Sequence, residues 1–244
     1  MTIRVILFDL GDTLFRLHPL QGVLEGLTET VSDLAGLPQA EAAEVCTRAL
    51  ESHRAEALTA WHSGQTGEPP LGTVLHRHFR PHVPLSPLAA EALAEVFWRA
   101  DVARFEAAAD CASRVAAFRD AGYRLAVVSN TSTRAAVLDA YLESVGLRSL
   151  FGAVVYSSDF GLRKPHAGIY REALRRLEAL PEHALFVGDR VREDVIGPQA
   201  AGIRAVLTHE FRQEDPALSR PVGVLKRLDD LHAVLDALNR SSAG

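Results

Sequence analysis

Short apolar runs that stop abruptly at polar residues recur along this chain. Residues 4–8 form a nearly continuous hydrophobic stretch ending in Asp9, the pattern of a buried parallel strand that delivers a polar side chain at its carboxyl end. Residues 125–128 lead into Ser129-Asn130, 153–156 into Ser157-Ser158-Asp159, 185–187 into Gly188-Asp189, and 205–207 towards Thr208. Between these runs the apolar spacing is helical, as in Ala112, Val115 and Phe118 before Gly122, or Ile169, Ala173, Leu174 and Leu177 before Pro181. Alternating strand and helix predict a doubly wound, Rossmann-like parallel α/β sheet, whose ligands bind outside the carboxyl ends of the strands.

One interval breaks the alternation. Between the first two runs lie roughly a hundred residues, where a crossover needs about a dozen. Leu20, Val23, Leu24, Leu27, Val31 and Leu34 keep a helical spacing up to Gly36, and Leu88, Leu93, Val96 and Phe97 do so after the start signal Ser86-Pro87. The interval therefore reads as an inserted helical unit, residues 16–104, in a core made of 1–15 and 105–244. Within it, residues 61–72 are predicted to be a loop, since Gly64, Gly67, Gly72 and Pro69-Pro70 interrupt the pattern.

Composition narrows the class. A chain of 244 residues with 48% hydrophobic content can bury a substantial core. Its formal net charge of -5 lacks the basic excess that a nucleic-acid partner demands, which favours a small ligand. No stretch approaches the roughly 20 apolar residues of a membrane span, and no secretory signal opens the chain, so the expected location is cytoplasmic. Cys46 and Cys111, in Ala-rich helical segments, read as small core hydrophobes. His76, His78 and His82 alternate with Arg77 and Arg80, which suits solvated surface better than a metal site.

The polar strand ends resemble, in order, the four motifs of the haloacid dehalogenase-like (HAD) superfamily. Phe8-Asp9-Leu10-Gly11-Asp12-Thr13-Leu14 is similar to motif I, Ser129-Asn130 to motif II, Lys164-Pro165 to motif III, and Gly188-Asp189 through Asp194 to motif IV. The helical insert stands where that family carries a cap. The resemblance implies a phosphohydrolase acting on a small phosphorylated metabolite through an aspartyl-phosphate on Asp9.

The residue types suit that chemistry. A carboxylate attacking a phosphoryl group meets anionic repulsion, which a hard divalent cation relieves with a few oxygen ligands. Asp9 and Asp189 fit as direct ligands of Mg²⁺, and the resemblance adds the Gly11 carbonyl, with Asp194 in support. Lys164, one of only two lysines in a chain that otherwise relies on arginine, is expected to hold the phosphoryl group. Ser129 and Asn130 are expected on the same substrate group.

The sequence departs from the family pattern at one position. Where phosphatases of this family usually carry a second Asp as general acid, two residues beyond the nucleophile, this chain has Gly11; Asp12 is the neighbouring carboxylate that could replace it. Without such an acid the expected substrates are acyl or aryl phosphates, whose leaving groups depart without a proton. The alternative reading is a weakly active or inactive relative that binds a metabolite or partner as a regulator. Dehalogenation fits poorly with the acidic pair Asp189 and Asp194. A phosphonatase-type Schiff base fails because no lysine lies between Asp9 and Lys164. Arg16, His18, Trp61 and His62 are secondary candidates for substrate contact.

Overall fold

The structure is a computed structural model that describes every residue except 1, 20, 64, 65, 69, 70, 82–86 and 242–244. Leu20, Pro69-Pro70, His82 and Ser86 thus lie outside the described residues, as do the side chains of Val23, Trp61, His62 and Leu88. The chain begins with β1 (Val5–Phe8) and β2 (Phe15–Leu17), then four helices, α1 (Gln21–Ala35), α2 (Gln39–His62), α3 (Leu71–Phe79) and α4 (Pro87–Val102). It returns through β3 (Phe105–Ala107), α5 (Cys111–Asp120), β4 (Arg124–Ser129), α6 (Ala135–Ser144), β5 (Ala153–Tyr156), α7 (Ser157–Phe160) and α8 (Ala167–Arg176). β6 (Ala184–Gly188), a π-helical turn (Val191–Ile196), α9 (Gly197–Ala200), β7 (Arg204–Thr208), β8 (Gly223–Leu225) and α10 (Leu231–Arg240) complete it.

Six strands form one parallel sheet in the order β5-β4-β1-β6-β7-β8. The continuous apolar runs are explained by burial on both faces. Alternate residues point to opposite sides, so Ile6, Phe8, Leu125, Val127, Leu185 and Val187 join one core with Val115 and Phe118 of α5, Leu138 of α6 and Leu235 of α10. Val5, Leu7, Ala126, Val128 and Phe186 join the other, with Ile169, Tyr170, Ala173 and Leu174 of α8. Chain order reverses about β1: β4 and β5 lie to one side, β6, β7 and β8 to the other. The crevice at that switch point is where a ligand of such a sheet belongs.

Helices α1 to α4 share a third core containing Leu27, Val31, Val45, Cys46, Phe79, Leu93 and Phe97. Leu34, expected on the apolar stripe of α1, is 56% exposed. The buried positions run Leu27, Val31, Ala35, at steps of four, and Leu34 falls off that line. The expected loop at 61–72 is shorter than its composition suggests. α2 continues through His62, and Leu71, 6% exposed, starts α3 by packing into the helical core. β2 and β3 form an antiparallel ribbon between insert and sheet that the apolar pattern does not reveal, because three-residue strands carry too few positions to show a period. Cys46 and Cys111 are free and buried, and burial pushes both thiols up to about 11. No helix among the described residues is long and apolar enough to cross a membrane.

Candidate active site

Asp9 leaves β1 at the centre of the sheet, its amide still donating to the Val187 carbonyl at 3.0 Å. The chain then doubles back: the amides of Thr13, Leu14 and Phe15 all donate to the Leu10 carbonyl, at 3.3, 2.8 and 3.1 Å. Asp12 takes the left-handed position of this turn at φ 53°, a conformation that Asp tolerates because its short side chain can bond locally. Its Oδ1 accepts from the Leu17 amide at 3.0 Å, tying the turn to β2.

Lys164 comes from the other side of the crevice. Its Nζ donates to Asp9 Oδ1 at 2.7 Å and to Asp194 Oδ1 at 2.6 Å, with the lysine 3% exposed. Burial disfavours its charge, but Asp194 and Asp9 outweigh that and hold its pKa above the ordinary value. The Asn130 side chain clasps the backbone of Lys164, accepting from its amide at 2.7 Å and donating to its carbonyl at 3.0 Å. Both ends of the amide are therefore engaged in placing Lys164. Ser129, 6% exposed, ends β4 beside this clasp.

The strand β6 brings the remaining carboxylates. Asp194 is fully buried; its Oδ1 takes the Lys164 ammonium and its Oδ2 accepts from the Arg190 amide at 3.0 Å. Gly188 is required here, since a Cβ on it would lie 2.3 Å from the Asp194 carboxyl carbon. Asp189 is 1% exposed, and its Oδ1 accepts only a long bond of 3.5 Å from Thr13 Oγ1. Its Oδ2 is buried without a hydrogen-bond partner; Arg212 Nε, at 3.8 Å, attracts it without bonding.

Asp9, Asp189 and Asp194 offer oxygens that all lie within 4.8 Å of one another. Burial first, then the charges of Asp194 and Asp9, raise Asp189 to about 8. Burial likewise raises Asp194, to about 6, although Lys164 opposes it. Three buried carboxylates face one buried ammonium and the nearby Arg190 guanidinium, so acids outnumber bases, and one carboxylate oxygen is left unbonded. An oxygen-only donor set with that surplus fits a hard divalent cation.

Comparison with known proteins agrees with this architecture. The description "haloacid dehalogenase-like hydrolase" matches residues 3–202. The chain belongs to the haloacid dehalogenase-like hydrolases. Among HAD relatives, the phosphoserine phosphatase of Thermus thermophilus is 32% identical over 73% of this chain and 67% of its own length. The glyceraldehyde 3-phosphate phosphatase of Methanothermobacter thermautotrophicus is 38% identical over 36% of this chain and 38% of its own. The HAD-like hydrolase domain-containing protein 3 of Bos taurus is 37% identical over 51% and 50%. The chain thus spans half or less of the length of the latter two. In fold it is similar to a 2-haloacid dehalogenase from Pseudomonas syringae, with TM-score 0.71 at 22% identity, covering 97% of this chain and all of that one.

In this HAD site, the position after Leu10 is empty of side-chain chemistry and tightly occupied. A Cβ on Gly11 would lie 2.6 Å from Leu17 Cδ1, so a side chain there would need the half-buried leucine of β2 to shift. Of the secondary candidates, Arg16 lies over the Phe211 ring at 5.6 Å and His18 pairs with Glu106 at 2.5 Å, and both are exposed. Sequence reasoning did not single out Thr13 or Arg212, which reach Asp189 from the motif I turn and from the loop after β7. A hydroxyl directly after Asp12 was a visible signal; Arg212, one arginine among many, carried none.

Proposed function

We propose that this chain is a Mg²⁺-dependent phosphohydrolase that acts on a small phosphorylated metabolite through an aspartyl-phosphate on Asp9. The observation that carries this reading is the Lys164 ammonium held between Asp9 and Asp194 beside the orphaned Asp189 oxygen. Asp9 Oδ attacks phosphorus as the bond to the leaving oxygen breaks, and water then cleaves the acyl phosphate to give inorganic phosphate and free Asp9. Lys164 keeps a positive charge against the oxygens of the transferring group, with the Ser129 hydroxyl as a further donor. Asn130 sets the position of Lys164 through its clasp.

Asp9, Asp189 and the Gly11 carbonyl would hold Mg²⁺, with Asp194 orienting Lys164 and supporting the site. When bound, the ion supplies neutralisation of the charge that otherwise repels an anionic substrate. The insert, residues 16–104, acts as a cap over the core of 1–15 and 105–244, excluding bulk water and selecting the substrate. The similarity to proteins named glyceraldehyde 3-phosphate phosphatase and phosphoserine phosphatase supports a small phosphorylated substrate.

The test is phosphate release from acetyl phosphate, p-nitrophenyl phosphate and a panel of sugar and amino-acid phosphates, with Mg²⁺ or with EDTA. Turnover that needs Mg²⁺ and disappears in Asp9→Asn is the expected result. Leu17 packed into the place of a side chain at position 11 favours one second reading, a HAD relative that binds a metabolite without turning it over. Silence on every substrate, with retained binding of a phosphorylated ligand, is the outcome that selects it.

A further inference from the structure

The connection between α2 and α3 makes an attachment to the core separate from the β2–β3 ribbon. Residues 66–68 lie against the turn that leads into Lys164. The Arg163 amide donates to the Thr66 carbonyl at 2.6 Å, Gly67 forms an antiparallel bridge with Leu162, and the Glu68 amide donates to the Gly161 carbonyl at 3.3 Å. The loop thus adds a one-residue strand to the chain segment that carries the essential lysine.

The Glu68 side chain then reaches further in. It is 4% exposed, and burial raises its pKa against the opposing pull of Arg163. Its Oε1 accepts from Arg163 Nη1 at 2.7 Å and its Oε2 from the Ser157 hydroxyl at 2.5 Å. The same Ser157 oxygen accepts from the Thr131 amide at 2.8 Å, one residue beyond the Asn130 that clasps Lys164. One carboxylate from the insert therefore fastens both strand-end loops, after β4 and after β5, on which the position of Lys164 depends.

A buried carboxylate is costly unless it is paired, so a loop of the insert would gain nothing from carrying one without these partners. We infer that Glu68 is a positioning residue for Lys164: its docking on Ser157 and Arg163 orders the Lys164 turn and couples the seating of the insert to the competence of the site. The inference rests on the phosphohydrolase reading for its effect on turnover, and on geometry alone for its effect on order. Glu68 touches neither Lys164 nor the carboxylate cluster, and acts through its neighbours.

The experiment compares the full chain with Glu68→Gln, Glu68→Ala and Ser157→Ala, reading amide hydrogen exchange residue by residue alongside kcat and KM on whichever phosphate the wild type turns over. In Glu68→Ala the amides of Arg163 and Lys164, which donate to Thr66 and Asn130, should exchange about tenfold to a hundredfold faster, the range set by losing a hydrogen bond to a charged group. The amides of Ala205 and Val206 in β7 should not change. kcat should fall by about tenfold or more while KM changes less, since Lys164 acts on the transferring group. Glu68→Gln, which can still accept one bond, should recover part of both effects, and Ser157→Ala should reproduce them in milder form. Wild-type exchange at Arg163 and Lys164 in Glu68→Ala would overturn the inference, as would acceleration spread evenly over the sheet. If Glu68→Ala does not fold, Ser157→Ala decides by the same readout. Faster local exchange in a protein whose wild type hydrolyses no phosphate would leave the positioning role intact and count against the phosphohydrolase reading alone.

Discussion

The sheet and the helical insert treat charge in opposite ways. At the carboxyl edge of the sheet Asp9, Lys164, Asp189 and Asp194 are all 6% exposed or less, in a network with one oxygen left unbonded. In the insert the ion pairs Arg48–Glu44, Arg77–Glu56 and Arg99–Glu95 sit on the surface, and the core beneath them is built from aliphatic and aromatic side chains. Surface pairs of that kind stabilise a fold by about 1 kcal/mol or less, whereas a buried cluster carries a desolvation cost of several kcal/mol per ion. The difference teaches where selection for chemistry outweighs selection for stability. The insert keeps these pairs in solvent; the sheet edge buries its charges, and Glu68 is the point at which the insert does the same.

The comparison is broken most sharply by removing the proposed nucleophile. Asp9→Asn keeps an oxygen that can accept from Lys164 and removes the carboxylate proposed to attack, so phosphate release should fall by at least about 10⁴-fold with the fold retained. A residual rate within tenfold of the wild type, measured on the same preparation, would mean that Asp9 is not the attacking group.

Removing the one ammonium tests the electrostatic side. Lys164→Met leaves the carboxylates of Asp9 and Asp194 facing each other across an apolar gap, and denaturant unfolding should report a loss of about 3–5 kcal/mol. Glu56→Gln in the insert, which breaks the half-exposed Arg77 pair, should cost about 1 kcal/mol or less by the same method. Equal costs for the two variants would erase the contrast between the regions.

Cation binding sharpens it further. At a Mg²⁺ concentration about a hundredfold above its dissociation constant, the native state should gain about 2.7 kcal/mol, seen as a rise in Tm that EDTA reverses. Asp189→Asn should lose most of that rise, because it replaces the carboxylate whose oxygen is buried without a hydrogen-bond partner. A Tm that ignores Mg²⁺ in the wild type would show that the surplus charge is relieved by protonation instead.

Much of the sheet was legible because a strand buried on both faces leaves an unmistakable run of apolar residues, and a polar residue that ends such a run has few other reasons to be there. Asp9 and Asp189 were visible in this way, Lys164 as one of two lysines in a Lys-Pro pair similar to motif III and Asp194 through the resemblance to motif IV, and the structure brings all four together. What stayed hidden depends on relations across the chain. Nothing in Asn130 says that both ends of its amide will be engaged by Lys164, 34 residues away. Glu68 stood in a segment read as a Gly/Pro loop, and only the fold reveals that its side chain is buried against the core. Leu34 misled because an apolar residue at near-helical spacing looks like core until the register of the other helices is known.

Asp12 is where sequence and structure leave the smallest and most informative effect. Its side chain accepts from the Leu17 amide, and its backbone occupies φ 53°, where Asn is as comfortable as Asp. If the carboxylate serves the turn, Asp12→Asn keeps both the bond and the conformation, so stability should stay within about 0.5 kcal/mol and turnover of acetyl phosphate within a few-fold. Asp12→Ala should lose about 1 kcal/mol with the loss of that one bond. If instead the carboxylate protonates the leaving oxygen, Asp12→Asn should cost about 10² or more in kcat on alkyl phosphates and little on acetyl phosphate, whose leaving group needs no proton. The ratio of those two rates in one variant thus separates a turn residue from an acid.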